Sequence, residues 1–163
     1  MKESDGTCIS KLSDYMKYVE DLPNGFILSR GQGGKYPLLP SALRTDEKGN
    51  RKYSRRAISY FLKEFKINSY HYMSQPWDVK NDFEWMIYGQ HYGIPTRLLD
   101  FTKSHIISLM FAVEGAFNSS KGTTSEVWFL NPKKLNLKFA NRSEILNINS
   151  DQIDLDMYDG PVA

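Results

Sequence analysis

The chain has a single cysteine, Cys8, among 163 residues. No internal disulfide and no multi-cysteine metal site can form, and such usage fits a reducing compartment. Histidine is nearly as scarce. His71, His91 and His105 are not at the separations of metal ligands, so no metal is expected. Long apolar runs are missing as well: none approaches the roughly 20 residues needed to cross a bilayer. The stretch MKESDGTCISKLSDYM has no apolar segment of the secretory type. These absences point to the cytoplasm and to no membrane partner. Charge of one sign is also lacking, with 21 basic and 19 acidic residues and a net charge of +2. Bulk charge therefore argues for neither a nucleic-acid binder nor a membrane-surface binder, although a local basic patch leaves nucleic acid open. Neither the phosphate loop GxxxxGK[ST], the dinucleotide fingerprint GxGxxG nor the hydrolase elbow GxSxG occurs.

What the chain does have is apolar and aromatic substance. Hydrophobic residues make up 40% and aromatics 13%, enough for a packed core and too many for wholesale disorder. The length suits one domain spanning residues 1–163. Leu12, Tyr15, Met16 and Val19 fall on one helical face, with Ser10 as the expected cap. FILSRG (26–31) reads as a strand, GQGG (31–34) as a flexible polar loop and YPLLPSAL (36–43) as irregular. Residues 51–68 and 77–92 read as helices, the second stopped by Gly93 and Pro95. Residues 104–117 form a strongly apolar helix expected to be core. EVWFL (126–130) reads as a strand closed by Asn131 and Pro132, and 133–149 as a weak strand or short helix. The acidic tail, 150–163, is expected to be lightly ordered. Few strands against several helices make the class α+β, with a small mixed or antiparallel sheet.

Three groups of residues invite chemistry. Arg30 ends a strand beside Gln32 and three glycines, where a guanidinium and backbone N–H groups can meet one anion. The plain alternative is a surface hairpin. His91, next to Gln90 at a helix C-terminus, suits an anion site or simple capping. Asp100 and Thr102 precede the apolar helix and can cap it, and Arg97 can pair with Asp100. Gln90, His91, Thr96 and Arg97 have no such structural duty. Glu114 and Glu126 are candidate acids without a visible partner. Tyr36, Tyr70, Tyr72, Trp77 and Tyr92 could stack bases.

The run QHYGIPTRLLDFTKS (90–104), preceded by RGQ (30–32) and YPLLPSALR (36–44) and followed by SLMFAVEGA (108–116) and EVWFLNPKKLN (126–136), resembles the FRG domain family over residues 25–140. Phe101 stands where the family usually has Trp. Ser29 replaces the aromatic residue of its name motif. His105 and Ile106 replace the usual Pro, and Ser108 stands where Ala is common. The order of the parts is also similar to the ADP-ribosyltransferase plan. That likeness implies NAD as the ligand, Arg30 on its phosphates or ribose, Thr102 or Thr96 ordering the nicotinamide end, and Phe111 with Ala112 closing the helix. A glutamate would stabilise the ribosyl cation. Glu126 is the residue for that role, with Glu144 as the later alternative, though neither sits in the Q/E-x-E context of that plan. Gln32, Gln90, His91, Thr96, Arg97 and Asp100 would bind the ligand. The implied setting is phage–host conflict, with a host or phage protein as a further partner. The rival reading is a non-catalytic module that binds a nucleotide signal, nucleic acid or protein.

Overall fold

A computed structural model describes residues 6–73, 79, 81–118, 124–145 and 147. Among them are five α-helices and one two-stranded antiparallel sheet, so the class is α+β. The elements are α1 (Leu12–Glu20), β1 (Leu28–Gln32), α2 (Arg55–Ser69), α3 (Asp82–His91), α4 (His105–Asn118), β2 (Glu126–Leu130) and α5 (Pro132–Ala140), with 3₁₀ turns at Ser41–Leu43 and Tyr70–Tyr72. The start of the helix expected at residue 77 and the acidic tail 150–163 lie outside the described residues. None of the described helices is long and apolar enough to cross a membrane. The backbone forms two compact units, one from Met1–Tyr36 with Phe101–Ile145 and the other from Pro37–Asp100 with Leu146–Ala163.

In the first unit β1 and β2 pair from Leu28↔Leu130 to Gln32↔Glu126, and α4 lies against one face of the pair. Alternation along the strand turns Ser29 and Gly31 toward that helix. A Cβ on Gly31 would come within 1.8 Å of the Ser108 carbonyl oxygen, and one on Gly33 within 2.2 Å of the Gly115 carbonyl carbon. The glycines expected to form a flexible loop instead let strand backbone touch helix backbone. Ser29, fully buried, shares hydrogen bonds with His105 Nδ1 (2.7 Å) and Ser108 Oγ (2.8 Å). Ser29, His105 and Ser108 thus form one network joining β1 to the first turns of α4. Backbone bonds of 2.8 Å in both directions between Ser29 and Thr102 extend the pairing on the other side of β1.

One expectation is narrowed and one corrected here. Of the weak strand or short helix read over 133–149, the helix forms, at residues 132–140. Asn131 accepts a bond from Lys134 N at 3.1 Å and Pro132 occupies the first turn, so the pair that closes β2 also opens α5. The apolar helix is only half core. Ser108 and Ala112 are buried against β1, while Met110, Phe111 and Phe117 are 60%, 59% and 85% exposed. The small residues face the sheet because the close glycine contact admits nothing larger.

Tyr15 anchors α1. Its hydroxyl donates to the His105 carbonyl at 2.7 Å, and its ring lies 6.2 Å from that of Phe129. Burial pushes this hydroxyl from 10.0 up to about 12. Between those values the folded chain keeps a proton that the unfolded chain has lost. The contribution is therefore complete below pH 10 and is lost as the pH rises toward 12. Urea unfolding at pH 9 and at pH 11.5 should show a fall in stability that is smaller in Tyr15→Phe, whose baseline at pH 9 is lower by about 1 kcal/mol for the lost hydrogen bond.

In the second unit, Ser54 and Asn81 cap α2 and α3 by accepting from Ala57 N and Glu84 N, each at 3.1 Å. The two helices meet through the edge-on rings of Phe65 and Trp85 and an ion pair between Lys66 and Asp82. Gly93, at φ +78°, ends α3. Ile94 N bonds back to Gly89 O at 2.9 Å and Gly93 N to Gln90 O at 3.0 Å, the paired pattern of a Schellman stop.

Candidate functional site

The face of the sheet turned away from α4 carries Leu28, Arg30 and Gln32 on β1 and Glu126, Trp128 and Leu130 on β2, because Ser29 and Gly31 occupy the other face. Arg30 is directly opposite Trp128, and Gln32 opposite Glu126. Arg30 and Glu126 are therefore diagonal neighbours, roughly 7–8 Å apart at the backbone and within reach of long side chains. All four are half-buried. Gln32 Nε2 donates to the Tyr36 carbonyl at 3.0 Å and so ties down the glycine loop.

Two atoms on this face stand out. Glu126 Oε2 and Trp128 Nε1 are buried and have no hydrogen-bond partner among the described residues. One accepts and the other donates, two residues apart on one strand. Native structures rarely leave such groups unsatisfied, and each orphan costs about 1–3 kcal/mol. A bound molecule offering both a donor and an acceptor would satisfy them. Arg30 adds a planar fork suited to phosphate oxygens. Sequence reading missed Trp128, although its place two residues from Glu126 on a strand was the available signal.

Thr102 has local duties. Its Oγ1 accepts from Ser104 N at 3.1 Å, a turn that precedes α4, and its backbone is paired to Ser29. Glu114 and Glu144 are exposed on α4 and on the segment after α5.

The second unit holds the remaining candidates. Thr96 is 2% exposed and knits the turn after α3 to the 3₁₀ turn at Ser41. Its N–H donates to Ser41 Oγ at 3.1 Å, its carbonyl accepts from Ala42 N at 3.1 Å, and its hydroxyl accepts from Leu98 N at 3.3 Å. These bonds give it a bracing role in this turn. Arg97 is exposed. Gln90 Nε2 donates to Asp100 Oδ2 at 2.8 Å, so this carboxylate serves the end of α3. Gln90, His91 and Asp100 line an open cleft of ≈ 320 Å³ together with Ser41, Ile87 and Ile94. Among the described residues, no three His, Cys, Asp or Glu side chains cluster as a metal ion would require.

No curated protein and no solved structure matches the chain. A family model described as the FRG domain matches residues 27–121, more than half of its length. The matched span opens at the residue before β1, includes the Gln90–Thr102 run and all of α4, and stops short of β2. Glu126 and Trp128 lie beyond it, so their importance rests on the geometry of this chain. With that match over more than half of its length, the chain belongs to the FRG domain family.

Proposed function

We infer that this FRG domain protein acts on NAD, transferring its ADP-ribosyl group to an acceptor, with the Arg30–Glu126 face of the sheet as its site. The observation that carries this reading is the buried, unpartnered Glu126 Oε2 beside Trp128 Nε1, on the same face as Arg30. In that reading Arg30 holds the pyrophosphate bidentately. The Trp128 indole lies against a ring of the ligand, and its N–H donates to an acceptor there. The bond between C1′ and the nicotinamide nitrogen breaks, and its electron pair leaves with nicotinamide. The Glu126 carboxylate stabilises the positive charge that develops on the ribose. A lone pair of the acceptor group then closes on C1′, and the acceptor gives up its proton. The setting is the cytoplasm during phage–host conflict, with a host or phage protein as the acceptor, as the family resemblance implies.

The test is incubation with NAD labelled on the adenylate side, following nicotinamide release and label transfer. Arg30→Ala should lower kcat/KM by about 100-fold, since a charge-assisted bidentate contact is worth about 3 kcal/mol. Intact NAD after prolonged incubation with the wild-type chain and a lysate as acceptor source would refute the transferase reading.

A further inference from the structure

The cleft of the second unit has a character of its own, independent of the reading above. Ile87, Ile94, His91 and Ser41 line it, and among the described residues neither lysine nor arginine does. Ser41 is already spent on Thr96, to whose N–H and carbonyl its hydroxyl is bonded. The informative group is Gln90. Its Nε2 donates to Asp100 Oδ2 at 2.8 Å. An ionised carboxylate only accepts, so the amide must turn its nitrogen toward Asp100 and its oxygen away. That oxygen, Oε1, is buried and accepts no hydrogen bond. Asp100 thus holds an acceptor in one orientation, with no donor supplied by the described residues.

We propose that this cleft binds a neutral planar ring carrying an N–H donor, either an exocyclic amino group or a carboxamide, which donates to Gln90 Oε1. The ring lies between Ile87 and Ile94, whose apolar surfaces suit a flat heterocycle. A cavity of ≈ 320 Å³ is at the small end of ligand sites and has room for a base or nucleoside. His91 also lines the cleft, where its ring can cover the ligand.

Two pairs of probes differ only in the donor. Adenosine carries the amino group that purine riboside lacks, and nicotinamide the N–H that 3-acetylpyridine lacks. Titrations followed by NMR on the full chain should show tighter binding of the donor-bearing member in at least one pair, by about tenfold. The pair that responds identifies the donor as amino or carboxamide. The Gln90 side-chain amide signals should move with it. In Gln90→Met, which keeps the length and removes the acceptor, the two members should bind alike. Equal binding within both pairs in the wild-type chain would overturn the proposal, as would discrimination that persists in Gln90→Met or no binding of any probe. The wild-type comparison decides the matter even if the variant fails to fold. All these arms read binding in the second unit and do not depend on NAD turnover.

Discussion

Replacing Gly31 with alanine should lower the thermal midpoint by about 10 °C, the equivalent of about 3 kcal/mol for a chain of this size. The single added methyl would sit 1.8 Å from the Ser108 carbonyl oxygen, 2.7 Å from Ala112 N and 2.9 Å from the Ser108 carbonyl carbon. All three are backbone atoms of one helix, so no side chain can swing aside to relieve the clash. Either β1 lifts from α4 or the helix moves, and both break the buried bonds from Ser29 to His105 and Ser108. Gly6→Ala is the matched control. Its Cβ would meet nothing within 4 Å, and its midpoint should stay within about 1 °C of wild type. Circular dichroism melts of the three proteins decide it. Because Gly31 follows Arg30, the same variant should also weaken whatever Arg30 holds.

Glu126→Gln should reduce nicotinamide release from NAD by about 10²–10³-fold in kcat while changing KM less than about threefold. The amide keeps the shape and an acceptor oxygen but loses the negative charge that, in the proposed mechanism, stabilises the developing ribosyl cation. Binding of ground-state NAD does not need that charge. Stability should move the other way. An unpartnered, buried carboxylate oxygen is a cost to the fold, and a neutral amide in its place should hold the melting midpoint or raise it. A loss of activity together with an unimpaired fold separates a functional residue from a bracing one. Equal turnover in the two proteins would remove Glu126 from the mechanism.

Much of the fold was legible because periodicity and stop signals act locally. The face formed by Leu12, Tyr15, Met16 and Val19 marks α1, and Gly93 with Pro95 marks the end of α3. Ser10 was expected to cap α1, yet Lys11 holds that position and makes no side-chain bond there. Asn131 and Pro132 mark the end of a strand, and Asn before Pro is equally the signature of a helix start, which is what they form. The apolar helix misled for a different reason. Its composition announces burial, but only a strand contact through Gly31 and Gly33 decides that Ser108 and Ala112 face inward and Met110 and Phe117 outward.

The candidate site divides the same way. Arg30, Gln32 and Glu126 could be named from residue type, and strand alternation puts Arg30 and Gln32 on one face. Which carboxylate shares that face with Arg30 depends on the pairing of β1 with β2, a contact across nearly a hundred residues that no local pattern encodes. Thr96 shows what residue type alone does not carry. It is a polar residue in a motif-rich turn, and its partners Ser41, Ala42 and Leu98 make it a brace.

The central claim is that the Arg30–Glu126 face receives NAD, and the Trp128 indole N–H reports on that face directly. In ¹H–¹⁵N spectra the tryptophan indole signals stand apart from the backbone, and Trp128→Phe assigns the one in question. Addition of NAD should shift the Trp128 signal downfield as its unpartnered N–H gains an acceptor, and the shift should be lost in Arg30→Ala. A Trp128 signal that stays in place at millimolar NAD would contradict the account.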